Sequence, residues 1–309
     1  VPAIFKYLQE FWQKECRLSY FVVVLLLSAL GIYLNYRYGI DAQITGPGNT
    51  QWQVFIGRYL LYFIPFAGAF LLQLFFYPRC NHIKNPWFWA ILLLAPAFFA
   101  LRVNFDWHHS FVNTRWKGDL QIFIQRCSDL VVRVFVLLVP VFILWYIKDK
   151  KKQPFYGTTP LTDLKPFLIL LLIMLPLVLL AVTQKDFLHM YPRVKFLEAL
   201  DLPSKYVYYF LFELCYGLDF VSIEFFFRGF LILSLIRICG AYCIIPAACF
   251  YCAIHLGKPA LEAISSFWGG LVLGIISYNT KSIWGGLIVH LGMAWFMEAG
   301  SAISLLFKK

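Results

Sequence analysis

Long apolar runs separated by short polar stretches set the plan of this chain. The runs cover about Leu18–Tyr36, Val54–Tyr77, Trp87–Leu101, Asp129–Ile147 and Leu164–Val182, then Lys205–Ile238, Tyr242–Leu256, Leu261–Tyr278 and Ser282–Phe307. A helix rises ~1.5 Å per residue, so about 20 apolar residues cross a hydrocarbon core of ~30 Å. The runs are continuous and lack the alternation of barrel strands. The pattern predicts an all-α fold, a polytopic transmembrane helical bundle of about eight or nine spans. It divides into an N-terminal helical region, 1–160, and a C-terminal region, 161–309.

Some details follow from the same pattern. Lys205–Ile238 is too long for one upright span, and Gly217 offers a break before the helix that carries Glu224. Val1–Cys16 mixes Phe5, Leu8, Phe11 and Trp12 with Lys6, Glu10, Lys14 and Glu15, as in a helix lying at the membrane interface. Leu18–Tyr36 is too long, and lacks the small-residue cleavage site, for a signal peptide. Polar connections are expected at Arg37–Gln53, Pro78–Pro86, Arg102–Ser128 and Gln184–Ser204. Arg58 lies near enough to a span end to snorkel, and Pro176 is a tolerated kink. Adjacent His108 and His109 point to different sides of a helix or strand, so they read as part of a solvated loop and a poor metal pair. Asp129 and Arg133, one helical turn apart, are expected to neutralise each other.

Composition agrees with a membrane protein. The chain is 61% hydrophobic and 14% charged, against roughly 25% charged in soluble domains. Its net charge of +11 reads as loops facing anionic lipid rather than as a nucleic-acid surface, because no aromatic–basic motif accompanies it. The strongest basic run, Lys148–Lys152, is expected in the cytoplasm together with the N-terminus. No organelle address is apparent, so the expected location is a bacterial inner membrane. The cysteines read as small buried hydrophobes. Cys249 and Cys252 with His255 have a metal-like spacing, but no second cluster completes four ligands.

The candidate chemistry lies in the last helices. Glu224-Phe-Phe-Phe-Arg228-Gly229, Tyr251-Cys-Ala-Ile-His255 and His290 all sit inside apolar sequence. Ionisable residues there are costly and mark function by default. Glu224 and Arg228 can pair along one helix. His255 and His290, on different helices, can converge with Glu224 as a zinc-type ligand set with a fourth position for water. Zinc would lower the pKa of that water to about 7, but a general base would still be required.

These motifs, in this order, resemble the CPBP family of intramembrane metalloproteases, which includes the CAAX prenyl endopeptidases. The family pattern is Glu-Glu-x-x-x-Arg, Phe-x-x-x-His and His-x-x-x-Asn on successive transmembrane helices. Glu224 and Arg228 match the first motif, Tyr251 and His255 the second with Tyr for Phe, and His290 the third. The resemblance implies an intramembrane metal-dependent endopeptidase with Glu224, Arg228, His255 and His290 as its site. It further implies a divalent metal, zinc, on Glu224, His255 and His290, and a membrane-associated or lipid-modified substrate.

Two positions depart from the pattern. Ile223 stands where the family has the Glu thought to activate water, and Ala294 where it has the closing Asn. Asp219, one turn before Ile223, and Glu298, one turn after Ala294, are the candidate substitute acids. A carboxylate displaced by a turn of ~5.4 Å is badly placed for catalysis, since far smaller shifts can cost ~100-fold. The alternative is therefore an inactive homologue serving as a membrane scaffold, as a subunit bound to another membrane protein, or as a cavity for a lipid or lipid-modified peptide. If Asp219 does serve as the base, it should face the same cavity as His255 and His290, with Ile223 as an apolar plug.

Overall fold

The computed structural model describes residues 2–77, 81–161 and 163–307; Pro78, Arg79 and Cys80 of the expected basic turn lie outside them. The fold is an all-α membrane bundle. Helix α1 spans Pro2–Glu10, α2 Leu18–Tyr38, α3 Ile40–Ile44, α4 Gln51–Phe76 and α5 Pro86–Asn104. The short α6, His108–Arg115, leads into α7, Gly118–Leu144. Then come α8 (Lys165–Ala181), α9 (Lys185–Met190) and α10 (Lys205–Glu224). The chain closes with α11 (Leu235–Cys239), α12 (Ile244–Ala253), α13 (Ala260–Thr280) and α14 (Trp284–Phe307). Seven described segments are long and apolar enough to cross a membrane, and α8 is a shorter apolar helix.

The two ends of the bundle are closed by different contacts. At one end Gln73 donates to the carbonyl of Tyr242 at 2.7 Å, and Thr158 bridges to Ser282. This end holds Lys148–Lys152. At the other, Asn35 and Tyr36 of α2 donate to the carbonyls of Leu256 and Lys258. Arg58 does not reach outward to headgroups; it donates to the carbonyl of Val103 at 2.8 Å, near the C-terminus of α5. Helix α1 folds back so that Ile4 is buried with Phe167, Leu273, Ile276 and Val289.

Several elements differ from the expectation. Gly217 does not break its helix: a Cβ there would meet Leu291 and Trp295 of α14 at 3.6 Å, ordinary contact distance. The helix instead widens into a π-helical stretch, Phe225–Ser234, immediately after Glu224. Such stretches are rare and frequent at functional sites. Helix α7 begins at Gly118 rather than near Asp129, because Gln121, Gln125 and Arg126 continue the helix at its less apolar end. His108 and His109 open α6 rather than sitting in a loop.

Helix α12 is only 10 residues long, ~15 Å, and every one of them is buried. It is an enclosed helix packed against α4 and α13, and with its flanking residues it carries the chain from Tyr242 at one end of the bundle to Leu256 at the other. A helix that is hydrophobic all round is expected to be enclosed like this. The main chain at Tyr156 and Gly157 also docks on the π-helical stretch. A Cβ on Gly229 would stand 2.8 Å from the carbonyl oxygen of Tyr156, so only glycine allows that approach beside Arg228.

Candidate functional site

Glu224 is the last residue of α10 and is fully buried. Its Oε1 lies 2.8 Å from His290 Nδ1 on α14 and 3.4 Å from Arg228, within the π-helical stretch. A carboxylate only accepts, so His290 donates from Nδ1 and its Nε2 carries the lone pair of the neutral ring. That lone pair accepts from the Tyr251 hydroxyl at 2.9 Å. Both nitrogens of His290 are thus engaged. Tyr251 also lies under the Arg228 guanidinium, 4.3 Å from the ring centroid, a cation–π distance.

His255 follows α12. Its Nδ1 donates to the carbonyl of Tyr251 at 2.7 Å, which leaves Nε2 as the free lone pair of the neutral ring. The Tyr251 and His255 ring centroids are 4.6 Å apart. Tyr251 therefore contacts both histidines, one through its ring and the other through its hydroxyl. Gly286 completes the wall: a Cβ there would stand 2.6 Å from Glu224 Oε2. Glu224 Oε2 and all three guanidinium nitrogens of Arg228 are buried without a hydrogen-bond partner.

The candidate acids have other work. Asp219 is buried and paired with Arg102 of α5. Arg102 in turn lies over the Phe99 ring, 4.9 Å from its centroid. Glu298 accepts from the backbone N–H groups of Arg193 and Val194 at 2.8 and 3.3 Å, holding the 182–204 connection to α14. Ile223 packs at the edge of the main core, and Ala294 is buried with Phe212, Tyr216 and Phe220.

Residues 208–296 match the family model described as type II CAAX prenyl endopeptidase Rce1-like. This match supports membership of the CPBP family for this part of the chain. No curated protein and no solved structure matches the chain. The CPBP segment includes Asp219, Glu224, Arg228, Tyr251, His255 and His290 but ends before Glu298. Arg102, the partner of Asp219, also lies outside it.

The fit of a metal to this CPBP centre can be judged from its donor atoms. Ligand atoms of Glu224, His255 and His290 do not gather within 4.8 Å of one another; among the described residues, His108, His109 and Asp129 alone do so. In this arrangement His290 offers no free nitrogen, and the Tyr251 hydroxyl would have to leave before an ion could reach Nε2. The residues as placed do not form a ligand set for zinc.

The Tyr251 hydroxyl contact to His290 and the Arg102 pairing with Asp219 were not among the expected contacts of the site. Tyr251 carried a signal, because Tyr in place of the family Phe adds one hydroxyl beside two histidines. Arg102 carried none, since it is 117 positions from Asp219 in the chain.

Proposed function

We propose that this protein is a non-hydrolytic CPBP homologue, a membrane-embedded binding protein or scaffold whose catalytic centre has become a polar core. The observation that carries the reading is the double engagement of His290, by Glu224 on one nitrogen and the Tyr251 hydroxyl on the other. The replacements Ile223 and Ala294 support it, as does the use of Asp219 and Glu298 in structural contacts. A relocated base needs a carboxylate within hydrogen-bond reach of the reacting water, and both candidates are already held.

The cargo most in keeping with the structure is a lipid chain or a lipid-modified peptide. A crevice of ~740 Å³ runs between α2, α4 and α12, lined almost entirely by apolar side chains. That volume lies in the usual range of ligand sites, ~300–1,000 Å³. Gly31 and Gly68 face into it, and a Cβ on either would meet nothing within 4 Å. Replacing Gly31 with Leu should reduce the lipid that co-purifies with the protein while leaving the fold intact.

The competing reading is an active metal-dependent endopeptidase, favoured by the family match and by the retention of Glu224, Arg228, His255 and His290. Comparing new protein N-termini in cells that carry the wild type, Glu224→Gln or His290→Ala separates the two. Binding without hydrolysis gives the same set of termini in all three. A product that needs both Glu224 and His290 would sink the proposal. The Lys148–Lys152 end of the bundle belongs in the cytoplasm under the positive-inside rule, with the N-terminal α1 on the same side, in a bacterial inner membrane. Labelling of single cysteines placed in the 148–152 stretch tests that orientation.

A further inference from the structure

Outside the CPBP segment, two helices bring three metal-type ligands together. His108 and His109 open α6, and Asp129 sits on α7. His108 Nε2 lies 3.0 Å and His109 Nε2 2.6 Å from the same oxygen, Asp129 Oδ1. The expected pairing of Asp129 with Arg133 is not formed among the described residues; Asp129 turns to the two histidines instead. Although neighbours in sequence, the two rings converge, with centroids 4.5 Å apart and planes at 70°. The ligand atoms of all three lie within 4.8 Å of one another.

From these contacts we infer a zinc-type divalent cation site formed by His108, His109 and Asp129. Zinc takes imidazole nitrogen at ~2.0–2.1 Å and carboxylate oxygen at ~2.0–2.2 Å, so tetrahedral ligand atoms stand roughly 3.4 Å apart. Present spacings need only a small opening to admit the ion. Imidazole and carboxylate together suit a first-row divalent metal. His108 Nδ1 is buried without a partner, so nothing fixes the tautomer that would keep a proton on Nε2. The side chains are 13%, 31% and 25% exposed for His108, His109 and Asp129, which leaves an open side for water as a further ligand.

The surroundings are built rather than loose. Phe105 lies parallel to the His108 ring at 6.5 Å. Gln51 of α4 donates to Asp106 at 2.6 Å, and Asn104 donates to the carbonyl of Gln51 at 3.0 Å. The turn between α5 and α6 is thereby tied to a third helix. The ion would pin α6 to α7 at the bundle end opposite the Lys148–Lys152 connection.

Zinc binding to the purified full chain, stripped with a chelator and titrated with Zn²⁺ in detergent, tests the site. The expected result is one equivalent bound by the wild type and by His290→Ala. Loss of a ligand in His109→Gln or Asp129→Asn should weaken binding at least about tenfold, the scale on which even supporting residues act. Asp129→Asn keeps the shape and hydrogen-bonding reach of the side chain, so it guards against a folding defect in the histidine variants. X-ray absorption of the bound zinc should show two imidazole ligands and no sulfur. Zinc should raise the unfolding temperature of the wild type and not of Asp129→Asn, because it binds only the folded state. No stoichiometric zinc, equal affinity in Asp129→Asn, or loss of binding in His290→Ala with retention in Asp129→Asn would each overturn the inference.

Discussion

Helix α10 buries two carboxylates five residues apart, and the protein treats them in opposite ways. Asp219 is joined by an arginine from another helix, Arg102, in a direct hydrogen-bonded ion pair. Glu224 is shared between a histidine and Arg228 from its own chain segment, 3.4 Å away and without hydrogen-bond geometry. The first is a tie between α5 and the CPBP segment. The second keeps one carboxylate oxygen and a whole guanidinium buried without hydrogen bonds, which is costly unless a bound group uses them. Burial alone therefore does not single out a functional charge; the state of its partners does.

The largest effect should come from breaking the tie. Arg102→Leu strands Asp219 in the core and should cost about 3–5 kcal/mol, whereas adding Asp219→Leu should recover most of it. Thermal unfolding of the purified single and double variants reads the difference. If Arg102→Leu is harmless, Asp219 is not held in the way described.

Next in size is Ile223→Glu, which adds a third carboxylate between the two. In a binding protein it should destabilise by ~1–3 kcal/mol, the cost of burying a polar group without a partner, and yield no cleavage products. Restored proteolysis would instead show that only the family acid was missing. Smallest is Tyr251→Phe, which removes one hydrogen bond to His290 and should cost ~1 kcal/mol. It also frees His290 Nε2, so a rise in zinc bound at the Glu224 centre, measured in an Asp129→Asn background, would identify the hydroxyl as the group that excludes the ion.

The same contrast explains what could be read from the sequence. The spans were legible where a run of apolar residues matched the membrane thickness, as at Leu18–Tyr38, and the family motifs singled out Glu224, Arg228, His255 and His290. Local rules failed where a distant partner decided. Asp129 and Arg133 have ideal helical spacing, yet Asp129 faces two histidines 20 and 21 residues away. Asp219 shares a helix face with Ile223, but its arginine comes from α5. Gly217 looked like a breaker, and packing against α14 keeps the helix whole. Apolar periodicity also cannot tell a lipid-facing span from an enclosed one: Tyr242–Leu256 does run from one end of the bundle to the other, but through a ten-residue helix wholly buried among its neighbours.

The shortness of α12 has a consequence for biogenesis. A ten-residue helix is too brief to be recognised as a membrane segment when it leaves the ribosome. Its neighbours are α4, made long before it, and α13, made just after. Its crossing from the Tyr242 end to the Leu256 end is therefore expected to depend on packing against these two helices rather than on its own length. His255 follows α12 directly, so its position is set late in synthesis, and a chain stopped before Ala260 would carry the residue without ever assembling the centre around it.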